Sequence, residues 1–412
     1  MNMKNPLRQA PKCPGGTLNR RHFLKQATVG AALMAAAPAL APARVVQPIH
    51  QTLPRAVTCI SRCKRYDYPL VRENLARMFD QLGDVRQLVK NRFVTVKVNL
   101  VNAPDHEVGG VPLYMTVTVH PNVAMALGSL LVEYGAKQVT YCDQLPLRID
   151  DREAFSLYGF DIPEMQRQMD GRARFANTRN KGSFKDYALV KVPGGGFLAS
   201  AWEVNRTYTD CDVLISLGKM KSHVSGGVTL GMKNLFGVPP SSMYGDDLKD
   251  HPDEDAAGYR GATMHDCTKK PLTSVETYKG TSSEGDHGYN VPHFIVDLNA
   301  AFPIDLTVID GISTIRSGEG WWIGSSVDLC SPGLLIAGRN PVCTDSVGTA
   351  CMGFDPEVPD RVQPFINGTN YLDLARRLGL GENRVNNLEV AGLSIEEARF
   401  NFVPTYQRNY KP

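Results

Sequence analysis

Between residues 213 and 237 the sequence sets charged side chains directly against an apolar run. Val213-Leu214-Ile215-Ser216-Leu217 reads as a buried strand, and Lys219, Lys221, His223, Lys233 and Asn234 follow it through a glycine-rich segment. Ligands of open α/β sheets sit beyond the strand ends. Lysines at that density beside a buried strand are costly unless an anion or a metal complex compensates them. A histidine with a pKa near neutrality can take up a hydroxyl proton, while a lysine or metal complex stabilises the charge that develops. Lys97, Lys219 and Lys221 could hold a carboxylate or phosphate as point charges. The plainer alternative makes Lys219 and Lys221 caps of the strand, His223 a satisfied half-buried histidine, Lys97 a strand-edge lysine and His120 the lead into a helix.

The elements that must position these residues alternate between strand and helix patterns. Residues 93–101 are β-branched with a period of two, residues 121–134 form an amphipathic helical pattern closed by Gly135, and residues 138–143 read as the next strand, with Asp143 at its end. Strand patterns return at 211–217, 306–310 and 333–337, the last followed by a helix through 344–352. Strand, helix, strand in that order predicts parallel pairing through right-handed crossovers. The expected class is therefore α/β, mostly parallel sheets with flanking helices, and the mature length of about 370 residues suggests two lobes, or one large α/β domain with insertions.

Asp310-Gly311 and the run Gly318-Glu319-Gly320-Trp321-Trp322-Ile323-Gly324 read as a glycine-bearing loop near the same sheet edge, with neither a phosphate-loop pattern nor a dinucleotide fingerprint. The two tryptophans could stack on a sugar or simply pack. Residues 145–205 carry no clear period, and residues 239–292 form a long polar insertion of a length that is usually functional, such as a lid. His265, Cys267, His287 and His293, in or beside that insertion, are alternative N/S ligands for a zinc-like metal, at spacings that match no standard pattern.

At the N-terminus, Asn19-Arg20-Arg21-His22-Phe23-Leu24-Lys25 precedes an alanine-rich run and Ala41-Pro42-Ala43, which resembles a twin-arginine signal peptide. Its apolar run is about half of the roughly 20 residues that a spanning helix needs. Residues 1–43 hold six basic and no acidic side chains, so their removal takes the formal charge from +3 to −3. A nucleic-acid partner is thereby disfavoured, because neutralising phosphates needs a basic face. The expectation is a mature chain without a membrane span, periplasmic or extracellular, exported folded by the twin-arginine machinery. The expected organisation is a signal (1–43), an N-terminal extension (44–92), an α/β domain (93–355) and a C-terminal segment (356–412). Eight scattered cysteines remain after Cys13 leaves, which is not a small-domain disulfide framework. No ferredoxin-type cysteine run is present, so no iron–sulfur cluster of that kind is expected.

Lys97-Val98-Asn99-Leu100, His120-Pro121, Gly135-Ala136 with Asp143, Lys219-Met220-Lys221-Ser222-His223, residues 229–237, Asp310-Gly311, residues 318–324, and Ala337-Gly338 with Asp345 together resemble domain-of-unknown-function family 362. The resemblance runs from about residue 93 to 355. Many members of that family add a ferredoxin-like module, which this chain lacks. A second, local resemblance lies in the segment from His223 to Lys233, which is similar to the nickel-pincer lactate racemases. That similarity implies Lys233 as the tether of a nickel-bearing cofactor and His223 as the acid–base group, with His251 as nickel ligand and His120 as a second catalytic histidine. The chain departs from those racemases in having Met232 where they have arginine, and in lacking their following proline-glycine.

The resemblances thus imply an exported metal- or organometal-cofactor enzyme, a racemase, epimerase or oxidoreductase acting on a hydroxy acid or sugar acid. Its small anionic ligand would meet Lys97, Asn99, Asp143, Lys219, Lys221, Asn234 and Asp310. The alternatives are an exported protein that binds an anion without turnover, or a partner of a cofactor-carrying enzyme.

Overall fold

Eight strands pair into one sheet in the computed structural model. It describes residues 56–101, 104–147, 149–179, 187–245, 260–273, 275, 287–316, 318–320 and 328–403. The strands are β1 (Thr58–Arg62), β2 (Phe93–Lys97), β3 (Gln138–Asp143), β4 (Ala173–Asn177), β5 (Val213–Lys219), β6 (Leu306–Gly311), β7 (Leu334–Gly338) and β8 (Val390–Gly392). Their order across the sheet is β8-β1-β7-β6-β5-β2-β3-β4. The pairs from β6 through β5, β2 and β3 to β4 are all parallel. Strand β7 runs against both of its neighbours, β6 and β1, and β8 is parallel to β1. The class is α/β with a mostly parallel sheet, as the alternating patterns predict.

Helices cover both faces, which is why the central strands read as continuous apolar runs. Alternation along each strand assigns side chains to the two faces. Val94, Val96, Ile215, Leu217, Leu306 and Val308 pack with α1 (Tyr68–Leu82) and α2 (Pro121–Glu133). On the opposite face Leu214, Ile309 and Ile336 pack with α3 (His287–Ala301) and α4 (Pro341–Cys351). Both helix starts on the first face are capped by a side chain: Asp67 accepts the Leu70 amide and His120 accepts the Asn122 amide.

The described residues belong to one compact unit, the single large α/β domain that length allowed beside two lobes. The reason is β1 and α1: the N-terminal extension supplies a strand in the middle of one half of the sheet, and the C-terminal segment supplies β8 beside it. The described parts of the 239–292 insertion turn apolar residues inward. Met243, Tyr244 and Met264 lie in the main core, and the Arg260 guanidinium donates to the Phe236, Pro239 and Gly245 carbonyls, so this portion is packed interior. Its far end continues into α3, which runs through Pro292. The signal region, His251, Trp321 and Trp322 lie outside the described residues. Among the described residues no helix is long and apolar enough to cross a membrane.

Candidate functional site

The carboxyl ends of the parallel strands carry the charged residues, two pairs of them locked together. Lys97 closes β2 and Asp143 closes β3, and their Nζ and Oδ1 atoms lie 2.8 Å apart with both side chains almost wholly buried. Burial pushes the Asp143 carboxyl up and Lys97 opposes it. Lys97 Nζ and the amides of Leu100 and Gln144 all donate to this carboxylate, with no acceptor there for an acid proton, so the pair is ionic. One strand over, Lys219 at the end of β5 meets Asp310 of β6 at 2.9 Å, and neither side chain is exposed to solvent. These two residues are direct partners in the parallel register, which places the charges side by side.

Tyr66 completes the second pair. Its hydroxyl donates to Asp310 Oδ1 at 2.9 Å and receives Lys219 Nζ at 3.0 Å, while Asp310 Oδ2 also receives the His120 amide at 3.1 Å. The His120 ring stacks on Tyr66 with centroids 3.8 Å apart. Burial and the nearby Lys219 cation lower the His120 pKa to about 4, with Asp310 opposing them, so the ring is neutral at neutral pH. His120 therefore belongs to the shell around the Lys219–Asp310 pair.

Asn234 links the first pair to the next residues. Its Nδ2 donates to the Lys97 carbonyl at 2.9 Å, which turns its Oδ1 toward Lys97 Nζ and Asn99 Nδ2, each 3.2 Å away. Asn99 in turn presents its Oδ1 to Lys221 Nζ at 3.4 Å. Asn234 and Lys233 ride on the short helix Gly231–Asn234, whose first two amides donate to Asp345 of α4, each at 2.8 Å. Among the described residues no cation pairs with Asp345, and burial raises its pKa to about 7.

After β5 the chain makes a tight hairpin of Lys221–His223 with Gly227–Thr229. Lys221 and His223 are two apart on one strand and so share a face. Lys221 is 1% exposed, and its Nζ donates to the Val117 carbonyl at 2.7 Å. Burial drives its pKa down to about 7; Glu319 opposes this, and the Lys219 and Lys233 cations add to it. The His223 Nδ1 receives the amides of Ser225 and Gly226, both at 3.1 Å, which assigns its ring proton to Nε2. Glu319 Oε2 also lies 3.0 Å from that Nδ1, an arrangement that would suit a charged ring. Burial and the neighbouring Lys233, His265 and Lys221 hold the His223 pKa well below its usual value. The ring is therefore neutral, and Glu319 Oε2 is satisfied by the Val224 amide at 2.7 Å. Lys233 places its Nζ 4.1 Å over the Phe236 ring.

Of the residues singled out in the sequence, Lys97, Asn99, Asp143, Asn234 and Lys221 thus form one connected network. Lys219, Asp310 and His120 form a second beside it, while His223 and Lys233 flank Lys221. His265, weighed as a metal ligand, lies near Lys233; burial, Lys233 and His287 lower its pKa to about 3. His287 instead pairs with Asp266, and His293 packs on Tyr289 and Phe197. Among the described residues no three His, Cys, Asp or Glu side chains gather as a metal-binding group. Sequence reasoning missed Tyr66, a tyrosine in the N-terminal extension with no pattern to mark it, and it gave Asp345 no role in holding Lys233. Cavities of 460 and 590 Å³ open elsewhere, one beside His293 and one across Thr95 and Thr140. Neither is lined by Lys221, His223 or Lys233, and the convergence of buried ionisable groups is the stronger marker of a site.

The thylakoid-associated protein sll1697 of Synechocystis is 26% identical over 176 residues, which is 42% of this chain and 43% of that relative's length. A crystal structure of a Thermotoga maritima protein superposes with a TM-score of 0.38 at 14% identity, covering 81% of this chain and 62% of its own. The lactate racemase apoprotein of Thermoanaerobacterium thermosaccharolyticum gives a TM-score of 0.34 at 12% identity, covering 71% of this chain and 55% of its own. Residues 94–350 match the family model described as a domain of unknown function, DUF362. That span covers more than half of the sequence, from the strand that ends in Lys97 to the helix that carries Asp345, and the chain belongs to the DUF362 family.

Proposed function

We propose that the hairpin end of the sheet is the site of an enzyme acting on a small anion. The substrate class is a hydroxy acid or sugar acid, and the reaction an isomerisation or oxidoreduction at the carbon bearing the hydroxyl. One observation carries this reading: Lys97 and Lys219 are each matched by an aspartate, whereas Lys221, equally buried, has no carboxylate in ion-pair reach among the described residues. A buried ammonium without a counter-charge is expensive, so the group is poised to exchange its proton near neutrality and to be recharged by an arriving carboxylate. His223, neutral with its proton on Nε2, is a poor base and a good hydrogen-bond donor to a hydroxyl or a developing oxyanion. Lys97, Asp143, Lys219, Asp310 and His120 then build the wall, and Lys221, His223 and Lys233 face the ligand.

The racemase resemblance adds a nickel-bearing cofactor tethered at Lys233, with His251 as ligand. Lys233 fits a tether, being a buried amine whose chain would touch a side chain added at Gly226. The donor set among the described residues does not fit a metal: no three ligating side chains gather, and two amides fill His223 Nδ1. No step here runs through nickel. Export by the twin-arginine route, supported by Arg20-Arg21 and the alanine-rich run after them, completes the reading.

The test is calorimetric titration of the mature protein with lactate and gluconate in two buffers of different ionisation enthalpy, followed by NMR in deuterated water. Binding with proton uptake, lost in Lys221→Gln, together with exchange of the hydrogen on the hydroxyl-bearing carbon supports the enzyme. Binding without exchange supports an anion-binding protein instead, and absence of binding by either acid overturns the reading.

A further inference from the structure

Pro292 lies inside α3 and has no amide hydrogen to give the carbonyl one turn back, that of Gly288. The Gly288 carbonyl accepts the Thr369 amide instead, at 2.9 Å, which docks residues 360–369 onto the start of the helix. Glycine closes this contact from both sides: a side chain added at Gly288 would overlap the Asn367 carbonyl, and one at Gly368 would overlap that of Gly288. One turn beyond His293, Asp297 receives the amides of Phe197, Leu198 and Ala199 at 2.7, 2.8 and 3.1 Å. That clamp sets the Phe197 ring edge-on to the His293 ring, with centroids 5.0 Å apart, and the Tyr289 ring lies 4.0 Å from His293. The docked segment, the helix and the clamped loop line the cavity of 460 Å³, within the range of about 300–1,000 Å³ of small-molecule sites.

The polar groups of that cavity are sorted by depth. His293 is 7% exposed, whereas Asp360, Arg361 and Arg377 are exposed at the mouth. The Tyr289 carbonyl can only accept, so His293 Nδ1, 2.6 Å from it, carries the ring proton, and Nε2 is an acceptor with no partner among the described residues. Burial lowers the His293 pKa and Arg377 adds to this, against the Tyr289 carbonyl and Asp360, which keeps the ring neutral at neutral pH. At the mouth, Arg361 is held in a left-handed backbone conformation, φ 61°, uncommon outside glycine, with its amide on the Gly368 carbonyl at 2.8 Å. Arg376 and Arg377 share the single Asp373 carboxylate, at 2.7 and 3.0 Å, so that corner keeps a positive charge. Asp360 spends Oδ1 on the Asn370 amide at 2.8 Å and keeps its other oxygen for a ligand. We propose that this cavity, separate from the hairpin site, binds a free aromatic amino acid whose ring carries a hydrogen-bond donor, as in tyrosine. The ring packs against Phe197 and Tyr289 and donates to His293 Nε2. The ammonium faces Asp360, and the carboxylate meets Arg361 and Arg377.

The test is titration of the purified protein, read by saturation-transfer NMR, with L-tyrosine and three analogues that each lack one group. L-Phenylalanine lacks the ring donor, tyramine the carboxylate and 3-(4-hydroxyphenyl)propionate the ammonium. L-Tyrosine should bind about tenfold more tightly than each of them, because every omission strands one polar group of the cavity. His293→Phe keeps a ring beside Phe197 and Tyr289, and it should bring L-tyrosine down to the affinity of L-phenylalanine. Arg361→Gln should bring L-tyrosine down to the affinity of tyramine. Arg361 is exposed, so this variant should keep the wild-type thermal midpoint and carry the test if His293→Phe disturbs the fold. Failure of L-tyrosine to saturate at millimolar concentration, equal affinity for all four compounds, or wild-type selectivity in both variants overturns the proposal.

Discussion

Replacing Asp310 with asparagine isolates the claim that most of the site's charge is internally balanced. The two Asp310 oxygens receive four donors: Lys219 Nζ, the Tyr66 hydroxyl, and the amides of His120 and Ile312. Asparagine keeps the shape but turns an NH₂ group against one of those donor pairs and strips Lys219 of its counter-charge. Both side chains of the pair are 0% exposed, so the full penalty of an uncompensated buried charge applies, about 3–5 kcal/mol. Lys219→Met should cost a similar amount by stranding the carboxylate. In the double variant neither charge is left alone, and its loss should fall short of the sum by about 2 kcal/mol or more. Urea unfolding of the mature chain at pH 7.5 reads this directly. With a slope of about 3 kcal/mol per molar, each single variant moves the midpoint down by about 1–1.7 M. Single losses below about 1 kcal/mol that simply add would refute the reasoning, and would return Lys219 to the set of lysines free to meet a ligand.

The buried histidines give a pH dependence of definite sign. His120, held at about 4, and His265, held at about 3, both start from 6.5 in the unfolded chain, which therefore binds protons first. Stability is full above pH 6.5 and is lost as the pH falls toward 4, so a urea midpoint that is flat over that range would contradict the neutral assignment. Asp345→Asn should cost about 1–3 kcal/mol by losing one amide acceptor. The cost should be larger at pH 5 than at pH 8, because a carboxyl raised from 3.8 to about 7 contributes stability that fades as the pH rises through that window. A side chain added at Gly218 would sit 2.5 Å from the Leu230 carbonyl, a backbone atom that cannot yield, so Gly218→Ala should lower the thermal midpoint and a neutral result would refute that close approach. Finally, intact mass and elemental analysis of natively purified protein decide the tether: an added mass or stoichiometric nickel that vanishes in Lys233→Ala supports it, and an unmodified, metal-free chain refutes it.

Where the sequence was legible, one element served one purpose. Residues 138–143 form the strand expected, and the helix expected at 121–134 spans Pro121–Glu133, because alternation and a proline start speak locally. The strand expected over 93–101 stops at Lys97, since beyond it the Leu100 amide turns to the Asp143 side chain. Residues 145–205 gave no clear period because they hold the short helices Asp151–Leu157 and Ile162–Gln168 and the hairpin Tyr187–Lys191 with Ala201–Asn205. The reversal of β7 left no mark, since a buried strand reads alike in either direction. The site residues were legible as types, but their pairing was not. Nothing local distinguishes Lys219, whose charge is cancelled by a strand neighbour nearly a hundred residues on, from Lys221, whose charge is not. That distinction arises only in the sheet register, and it changes which lysine carries the chemistry.

The place of β1 has a consequence for how the nascent chain matures. The first strand among the described residues, Thr58–Arg62, is held between Leu334–Gly338 on one side and Val390–Gly392 on the other, and both are made late. Until then its apolar residues Cys59 and Ile60 lack their final strand partners, and the loop to be closed is nearly the length of the domain. Synthesis therefore cannot finish this protein from its N-terminus forward. A chain lacking residues beyond about 333 would lack both strand partners of β1 and should leave it as an open, aggregation-prone edge.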